Sequence, residues 1–282
     1  MLSEDAPKTP PDAPGAVIPP PPVSRRSARA LDRYSSHLFV PDTQVKPGVP
    51  INHLSALGNY CADKRPDKII FAGDHWDFPS LSAWDGPVTK AIERYDVQED
   101  IDAGNEAMDA FLSRIFAVSG YQPELHFCIG NHEDRVRRYL LDKPELKTKV
   151  SLDHLSLAAF KVHPFLEPVI LDGIAYCHFF ATDSNGRVMR SKNGQSSARA
   201  QVNNFGMSAT AGHRQGLDVY LKECKPTRRR GIIAGSFMQH SEFYLTPQGN
   251  DFWVGVIHKR EVKDGDYDTT EISLGYLLRR YL

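Results

Sequence analysis

The segment that decides the fold is Lys68-Ile-Ile-Phe-Ala-Gly73-Asp74-His-Trp-Asp77. Four apolar or small residues are followed by a glycine and an aspartate, the pattern of a buried parallel strand with a carboxylate at its C-terminal end. In open α/β sheets, ligands bind outside the carboxyl ends of the strands. A carboxylate in such a crevice needs a partner, because an unpaired buried charge is costly. Asp74 is therefore either a metal ligand or the cap of an ordinary turn.

A second strand places another aspartate beside the first. The segment His37-Leu-Phe-Val-Pro41-Asp42-Thr-Gln44 predicts a short apolar strand, and the apolar spacing over residues 50–63 predicts a helix. Strand, helix and strand in this order predict a right-handed βαβ unit, whose two strand ends lie side by side. Asp42 and Asp74 are then neighbours, and adjacent carboxylates repel each other unless a cation lies between them. This arrangement favours a metal ion.

Composition excludes several classes of protein. The chain has 282 residues and a net charge of −1, so no global field attracts nucleic acid or an anionic membrane. The four cysteines form no Cys-x-x-Cys pair, which indicates reduced thiols and predicts a cytoplasmic protein. No apolar run reaches about 18 residues, and the N-terminus has neither a basic start nor an apolar run. The sequence thus predicts no membrane span and no signal peptide.

The domain organisation follows from proline content. Eight prolines fall between Pro7 and Pro22, and such a segment favours polyproline II and cannot bury enough surface to fold. Residues 1–30 are therefore predicted to be a disordered tail. Residues 36–282 are predicted to form a single domain whose C-terminal part is rich in β-strands.

Further elements are predicted along the domain. Residues 78–95 are irregular and predict a loop over the crevice, and residues 97–118 are an amphipathic helix. A strand then leads into Gly130-Asn131-His132-Glu133, and a hairpin turning at Asp172-Gly173 leads to His178. Helical segments are predicted at 135–141, 152–160 and 195–205. Strands are predicted at 208–211, before Gly212-His213-Arg-Gln215, and then, in antiparallel alternation, at 217–224, 231–237, 252–262 and 268–273.

Five blocks at these strand ends occur in an order that resembles a known superfamily. They are Asp42-x-Gln44, Gly73-Asp74-x-x-Asp77, Gly130-Asn131-His132-Glu133, His178 and Gly212-His213-x-Gln215. They are similar to the calcineurin-like metallophosphoesterases, whose blocks are Asp-x-His, Gly-Asp-x-x-Asp, Gly-Asn-His-Asp/Glu, His and Gly-His-x-His. The resemblance implies a metallo-dependent phosphatase-like fold, a four-layer α-β-β-α sandwich of two mixed sheets flanked by helices.

Details of the five blocks indicate which members of the superfamily the chain resembles most. The pattern most resembles bacterial and phage-encoded members of the superfamily and, more distantly, its repair nucleases. It differs from the Ser/Thr protein phosphatases, which have Arg-Gly where Phe78-Pro79 stands here and an arginine where Ile129 stands.

The resemblance also implies a site with two divalent metal ions, which together can activate a hydroxide and clamp a phosphoryl group. Asp74 is expected to bridge them. One ion is expected to bind Asn131, His178 and His213, a mixed nitrogen and oxygen shell that suits Mn, Fe or Zn. The other is expected to bind Asp42, Gln44 and Gln215. Because glutamine replaces histidine twice there, that shell is all oxygen, which favours Mg or Mn, bound weakly or not at all.

The remaining site residues are assigned by the same resemblance and by position. His132 is expected to be the general acid for the leaving oxygen, with Asp77 orienting its ring. Arg135 and Arg138 follow the third block at a predicted helix start. They are candidates for binding the substrate phosphate, the alternative being a solvated helix face.

Three functions are left open by these observations. The first is a metal-dependent phosphodiesterase or nuclease acting on DNA, RNA or a nucleotide. The second is a phosphomonoesterase acting on a small molecule or a phosphoprotein. The third is a metal-binding interaction protein with weakened catalysis. Gln44 and Gln215 favour the third, whereas His132 with Asp77 favours an enzyme, because an interaction protein needs no general acid.

Overall fold

The structure is a computed structural model that describes residues 34–82, 96–182, 186–189, 197–224, 227–241 and 252–282. The predicted tail, residues 1–30, and most of the predicted crevice loop lie outside the described residues. The described part is α/β, with two mixed sheets and five α-helices. None of these helices is long and apolar enough to cross a membrane.

The first sheet has six strands in the order β11-β10-β1-β2-β3-β4. Strands β1 to β4 are parallel, β10 is antiparallel to β1, and β11 is antiparallel to β10. The six strands are β1 (Ser35–Val40), β2 (Lys68–Phe71), β3 (Glu124–Cys128), β4 (Lys161–His163), β10 (Gly255–Lys263) and β11 (Asp266–Ser273). The parallel pairing of β1 with β2 confirms the predicted βαβ unit.

The second sheet has five strands in the order β5-β6-β7-β9-β8. Strands β6, β7 and β9 are parallel, and β5 and β8 are antiparallel edge strands. The five strands are β5 (Val169–Leu171), β6 (Ile174–Cys177), β7 (Ser208–Ala211), β8 (Asp218–Cys224) and β9 (Thr227–Ile233). The predicted hairpin is confirmed: Asp172 and Gly173 both have positive φ, 48° and 81°, as the tight turns favoured in hairpins require.

The five helices are α1 (Asn52–Lys64), α2 (Val97–Phe116), α3 (Asp134–Asp142), α4 (Ser197–Phe205) and α5 (Leu274–Tyr281). Helix α2 begins where the Asp96 carboxylate accepts the N–H of Gln98 at 2.7 Å. The sequence did not predict α5 or the short strand β4.

One helical prediction is wrong. Residues 152–160 contain only a single 3-10 turn, Leu152–His154. Asn105 of α2 explains why, because its side chain donates to the carbonyl of His154 at 2.9 Å and accepts the N–H of Ser156 at 2.9 Å. These backbone groups are therefore paired with a side chain from another helix rather than with each other.

Alternating side chains give the first sheet two apolar faces. In β1, Leu38 and Val40 pack in a cluster with residues of α1 and α2, whereas Phe39 packs with residues of the second sheet. A third cluster joins the second sheet to α4, for example through Ala209 and Ala198. Both sheets are therefore buried on the face that they share, and the fold is an α/β sandwich.

The strand ends of both sheets meet at one edge. In the first sheet Val40 pairs with Phe71, and in the second Cys177 pairs with Ala211, so the residues that follow these strands are neighbours. Phe237, which follows β9, donates its N–H to the carbonyl of Asp42 at 2.7 Å. This edge carries the residues of the five sequence blocks.

Candidate metal centre

Asp74 is held in position by its backbone. It follows Gly73 and adopts a left-handed φ of 50°, a conformation that costs a non-glycine residue free energy unless the surroundings impose it. The carboxylate of Glu133 imposes it by accepting four backbone N–H groups. The donors are Asp74 (2.8 Å), His75 (2.7 Å), Trp76 (3.1 Å) and Gly130 (2.9 Å). No role was predicted for Glu133, because the sequence does not reveal which donors a buried carboxylate will meet.

Glycines in the blocks permit close approach between loops. A Cβ atom added to Gly130 would clash with the Asp74 carboxylate, and one added to Gly212 would clash with the Asp42 carboxylate. These two positions therefore require glycine for steric reasons. Their absence of side chains lets the carboxylates lie against the neighbouring strand ends.

Three side chains form a group that could hold a metal ion. Asp74, His178 and His213 each offer one ligand atom, and these atoms lie within 4.8 Å of one another. Asp74 and His178 are buried, and His213 is half-buried. His213 also has a positive φ of 65°, so a second candidate ligand, like Asp74, lies on strained backbone.

The tautomer of His178 is set by its surroundings. Its Nδ1 lies 2.9 Å from the carbonyl of Ala72, which can only accept, so Nδ1 carries a hydrogen. Its Nε2 lies 2.8 Å from Asn131 Oδ1 and 3.3 Å from Asp74 Oδ2. Two acceptor oxygens therefore face this nitrogen, and only a proton or a cation satisfies all three atoms.

The pKa values of Asp74, His178 and His213 are shifted by burial and by the charges of their neighbours. Burial opposes the charged form of His178, but the carboxylates of Asp74, Asp42 and Glu133 together outweigh it and raise the pKa of His178 to about 9. Burial also opposes ionisation of Asp74, yet His132 and His178 hold its pKa below the ordinary value. The pKa of His213 falls to about 4, because of burial and the nearby charge of His178.

Asp42 and Gln44 each contact a member of this group. Asp42 is buried, its Oδ1 accepts the N–H of His213 at 2.9 Å, and burial raises its pKa to about 7. The backbone N–H of Gln44 donates to the Asp74 carbonyl at 2.8 Å. The buried Gln44 Oε1 has no hydrogen-bond partner among the described residues. Gln215, in contrast, is exposed to solvent.

His132 and Asp77 are paired beside the same carboxylate. His132 Nδ1 lies 2.7 Å from Asp77 Oδ1, and Lys46 Nζ lies 3.4 Å from the other oxygen of Asp77. His132 Nε2 lies 3.7 Å from Asp74 Oδ2. Although burial opposes both shifts, the pKa of His132 is raised by Asp74 and Asp77, and the pKa of Asp77 is lowered by His132.

Of the two arginines, Arg135 is the closer to this pair. Its guanidinium donates to the carbonyl of Asp77 at 2.7 Å and to His132 Nε2 at 3.0 Å. Arg138 is exposed, donates to the carbonyl of Asn131 at 3.2 Å and is paired with Asp134 at 3.3 Å. Arg135 therefore contacts the predicted general acid, His132, and Arg138 contacts the backbone of the predicted ligand Asn131.

The donor set fits a divalent cation. Two buried carboxylates, the unpaired Oε1 of Gln44 and the acceptor-facing Nε2 of His178 together require positive charge. Nitrogen and oxygen donors of this kind suit Mn, Fe or Zn, and the carboxylates also suit Mg. No model of a known protein family matches the chain, and no curated protein matches it significantly.

Proposed function

We propose that the chain is a metal-dependent phosphoesterase of the calcineurin-like type, with a phosphodiester of DNA, RNA or a nucleotide as substrate. The observation that carries this proposal is that the possible metal-binding group and the His132–Asp77 pair lie next to the same carboxylate, that of Asp74. The group Asp74, His178 and His213 could hold a metal ion, and His132, paired with Asp77, lies 3.7 Å from the same Asp74 carboxylate. A metal site without catalysis has no need of an oriented histidine.

Each residue has a role in this proposal. Asp74, Asn131, His178 and His213 would hold one ion, and Asp42 and Gln44, with Gln215 at the exposed side, would hold a second and weaker one. When bound, the ions activate water and offset the charge of the phosphoryl group. His132 donates a proton from Nε2 to the leaving oxygen, and Asp77 holds the proton on Nδ1 and stabilises the charged ring.

The fold supports the proposal at a coarser level. The three apolar clusters place helices, first sheet, second sheet and helix in that order. This is the layer order of the four-layer metallo-dependent phosphatase-like sandwich that the five blocks imply. The blocks also lie at the carboxyl ends of strands, where α/β folds bind ligands.

A second candidate is a metal-binding interaction protein, and one contact favours it. Arg135 donates to His132 Nε2, the nitrogen that must deliver the proton. In the enzyme, this guanidinium has to turn toward the substrate phosphate and leave Nε2 free. Phosphomonoester hydrolysis, on a small molecule or a phosphoprotein, is the alternative within the enzyme class.

One assay separates these three candidates. The full chain is incubated with Mn²⁺ and with bis(4-nitrophenyl) phosphate or 4-nitrophenyl phosphate, and nitrophenolate release is measured. We expect faster hydrolysis of the diester, loss of activity in His178→Ala, and no loss in the control His154→Ala, which changes an exposed histidine. Faster hydrolysis of the monoester would identify a phosphomonoesterase. No hydrolysis of either ester, with Mn²⁺ still bound, would identify an interaction protein.

A further inference from the structure

A cavity of about 490 Å³ is lined by none of the candidate metal ligands. Most of its walls are apolar. The lining residues are Ile129, Asp134, Arg137, Leu152, Pro164, Phe165, Leu166 and Gly186. A volume of several hundred Å³ with mainly apolar walls is typical of a site for an organic ligand.

Two walls of the cavity are connected to the candidate metal centre through neighbouring residues. On one side, Ile129 and Asp134 flank the tight turn that carries Asn131, in which Asp134 N donates to the carbonyl of Gly130 at 3.0 Å. One residue, Gly130, separates Ile129 from Asn131, so their Cα atoms are at most about 7.6 Å apart. This wall of the cavity is therefore continuous with the turn that carries Asn131.

On the other side, a row of rings links the cavity to a metal ligand. The ring of Phe165 lies 5.7 Å from that of Phe179, which in turn lies 4.6 Å from the ring of His213. Phe165 thus gives the cavity an aromatic wall, and the ring of Phe179 connects that wall to His213. Such a surface is suited to a planar ring.

Among the described residues, the two charged side chains of the lining, Asp134 and Arg137, are paired with each other. Arg137 donates to the Asp134 carboxylate from Nε at 2.6 Å and from Nη2 at 3.1 Å. This pair leaves the lining with no net charge, so the cavity favours neutral groups over a second phosphate. Its chemistry is therefore apolar and aromatic.

We propose that this cavity binds the organic group of the substrate and that this group is a planar aromatic ring system, as a nucleobase is. The inference rests on the proposed function, and it specifies the part of the substrate that the metal centre does not contact. Stacking of one ring on an aromatic side chain typically raises affinity about tenfold or more.

The test compares two ligands that differ only in the ring. Phenylphosphonate and methylphosphonate are titrated into the full chain in the presence of Mn²⁺, and heats of binding give both Kd values. We expect the phenyl ligand to bind about tenfold more tightly. Leu152→Trp places a larger side chain in the cavity wall and should abolish this preference. Leu141→Trp, the same change at an exposed residue outside the lining, should leave it intact.

A second variant covers the case in which Leu152→Trp does not fold. Leu166 has a φ of 65°, so Leu166→Gly removes a wall side chain from a backbone conformation that glycine prefers. The phenyl preference should then fall by about threefold, since part of the contact area is lost. Equal affinity of the two ligands for the wild type, or a preference unchanged in both wall variants, would overturn the inference.

Hydrolysis on the same samples separates this inference from the proposed function. Bis(4-nitrophenyl) phosphate and methyl 4-nitrophenyl phosphate share a leaving group and differ in the other ester group. We expect Leu152→Trp to raise KM for the first ester and not for the second. Phenyl preference without hydrolysis of either ester would refute the proposed function and support an aryl site. Hydrolysis without phenyl preference would refute the aryl site and support the proposed function.

Discussion

Three residues of the candidate metal centre are non-glycines with positive φ: Gln44 at 42°, Asp74 at 50° and His213 at 65°. Each such residue costs roughly 1–3 kcal/mol, so the surrounding structure must impose the conformation. For Gln44 and Asp74 the imposing bonds are known, since Gln44 N donates to the Asp74 carbonyl and Asp74 N to Glu133. Strain at the residue scale therefore coincides with the proposed site.

The number of metal ions bound per chain tests whether Gln44 and Gln215 weaken the second proposed metal site. We expect the wild type to retain one tightly bound transition metal per chain after dialysis, because only one of the two proposed ligand shells contains histidine. Gln44→His should raise this number toward two, since its side chain is buried with an unpaired Oε1. Gln215→His alone should increase the number of bound ions less, because position 215 is exposed. The increase in the double variant should exceed the sum of the two single increases. Two tightly held ions in the wild type would contradict this prediction.

His132 is tested through the leaving group. A general acid contributes about 10²–10⁴-fold to the rate, most of all when the leaving oxygen is a poor leaving group. His132→Ala should therefore slow release of an alkoxide far more than release of 4-nitrophenolate, with unchanged metal content. Asp77→Asn should show the same trend more weakly, since it leaves the ring in place. Equal losses for both leaving groups would exclude the role.

At the scale of elements, the ends of β2 and β3 are joined by one side chain. Glu133 lies just before α3 and accepts N–H groups from the turn after β2 as well as from Gly130 after β3. It therefore acts as a bridge between two strand ends, and it orders the loop that carries Asp74.

Glu133→Gln keeps the size of the side chain and replaces one acceptor oxygen by an NH₂ group. At least one backbone N–H then loses its acceptor, so the free energy of unfolding should fall by about 1–3 kcal/mol. Mn²⁺ affinity should fall as well, because Asp74 is no longer held. Urea unfolding and metal titration measure both effects. Glu145→Gln, at an exposed site, should change neither; an unaltered Mn²⁺ affinity in Glu133→Gln would show that the bridge does not serve the metal.

At the scale of the whole molecule, a lysine lies buried between the two sheets. Lys259 of β10 donates to Thr210 Oγ1 at 2.6 Å and to the Tyr176 hydroxyl at 3.2 Å, and its Nζ lies 4.3 Å from the centre of the Tyr176 ring. No carboxylate is paired with it among the described residues. Burial lowers the pKa of Lys259 well below its ordinary value of 10.5.

The consequence is a stability that rises with pH. Between the lowered pKa and 10.5 the unfolded chain binds a proton that the folded chain does not, so each pH unit adds up to about 1.4 kcal/mol to the free energy of unfolding. Lys259→Met removes this dependence. The free energy of unfolding of the variant minus that of the wild type should be larger at pH 7 than at pH 9.5. Urea unfolding at both pH values measures this difference. A difference that is the same at both would mean that the buried amine stays charged, stabilised by the surrounding rings.

The local parts of this protein could be predicted from its sequence. Apolar runs, helical spacing and turn glycines located most strands, the βαβ unit that brings Asp42 beside Asp74, and the hairpin before His178. They could do so because strands, helices and tight turns depend on residues close together in the chain.

Tertiary structure alone decided the rest. The bridge of Glu133, the burial of Gln44, the exposure of Gln215 and the loss of the predicted helix at 152–160 all depend on contacts between distant segments. The strands after residue 217, predicted as one antiparallel series, are divided between two sheets, with β9 parallel to β7 and β10 antiparallel to β1. The sequence does not encode these choices locally, because each is decided by which apolar faces and hydrogen-bond donors meet once the chain has folded.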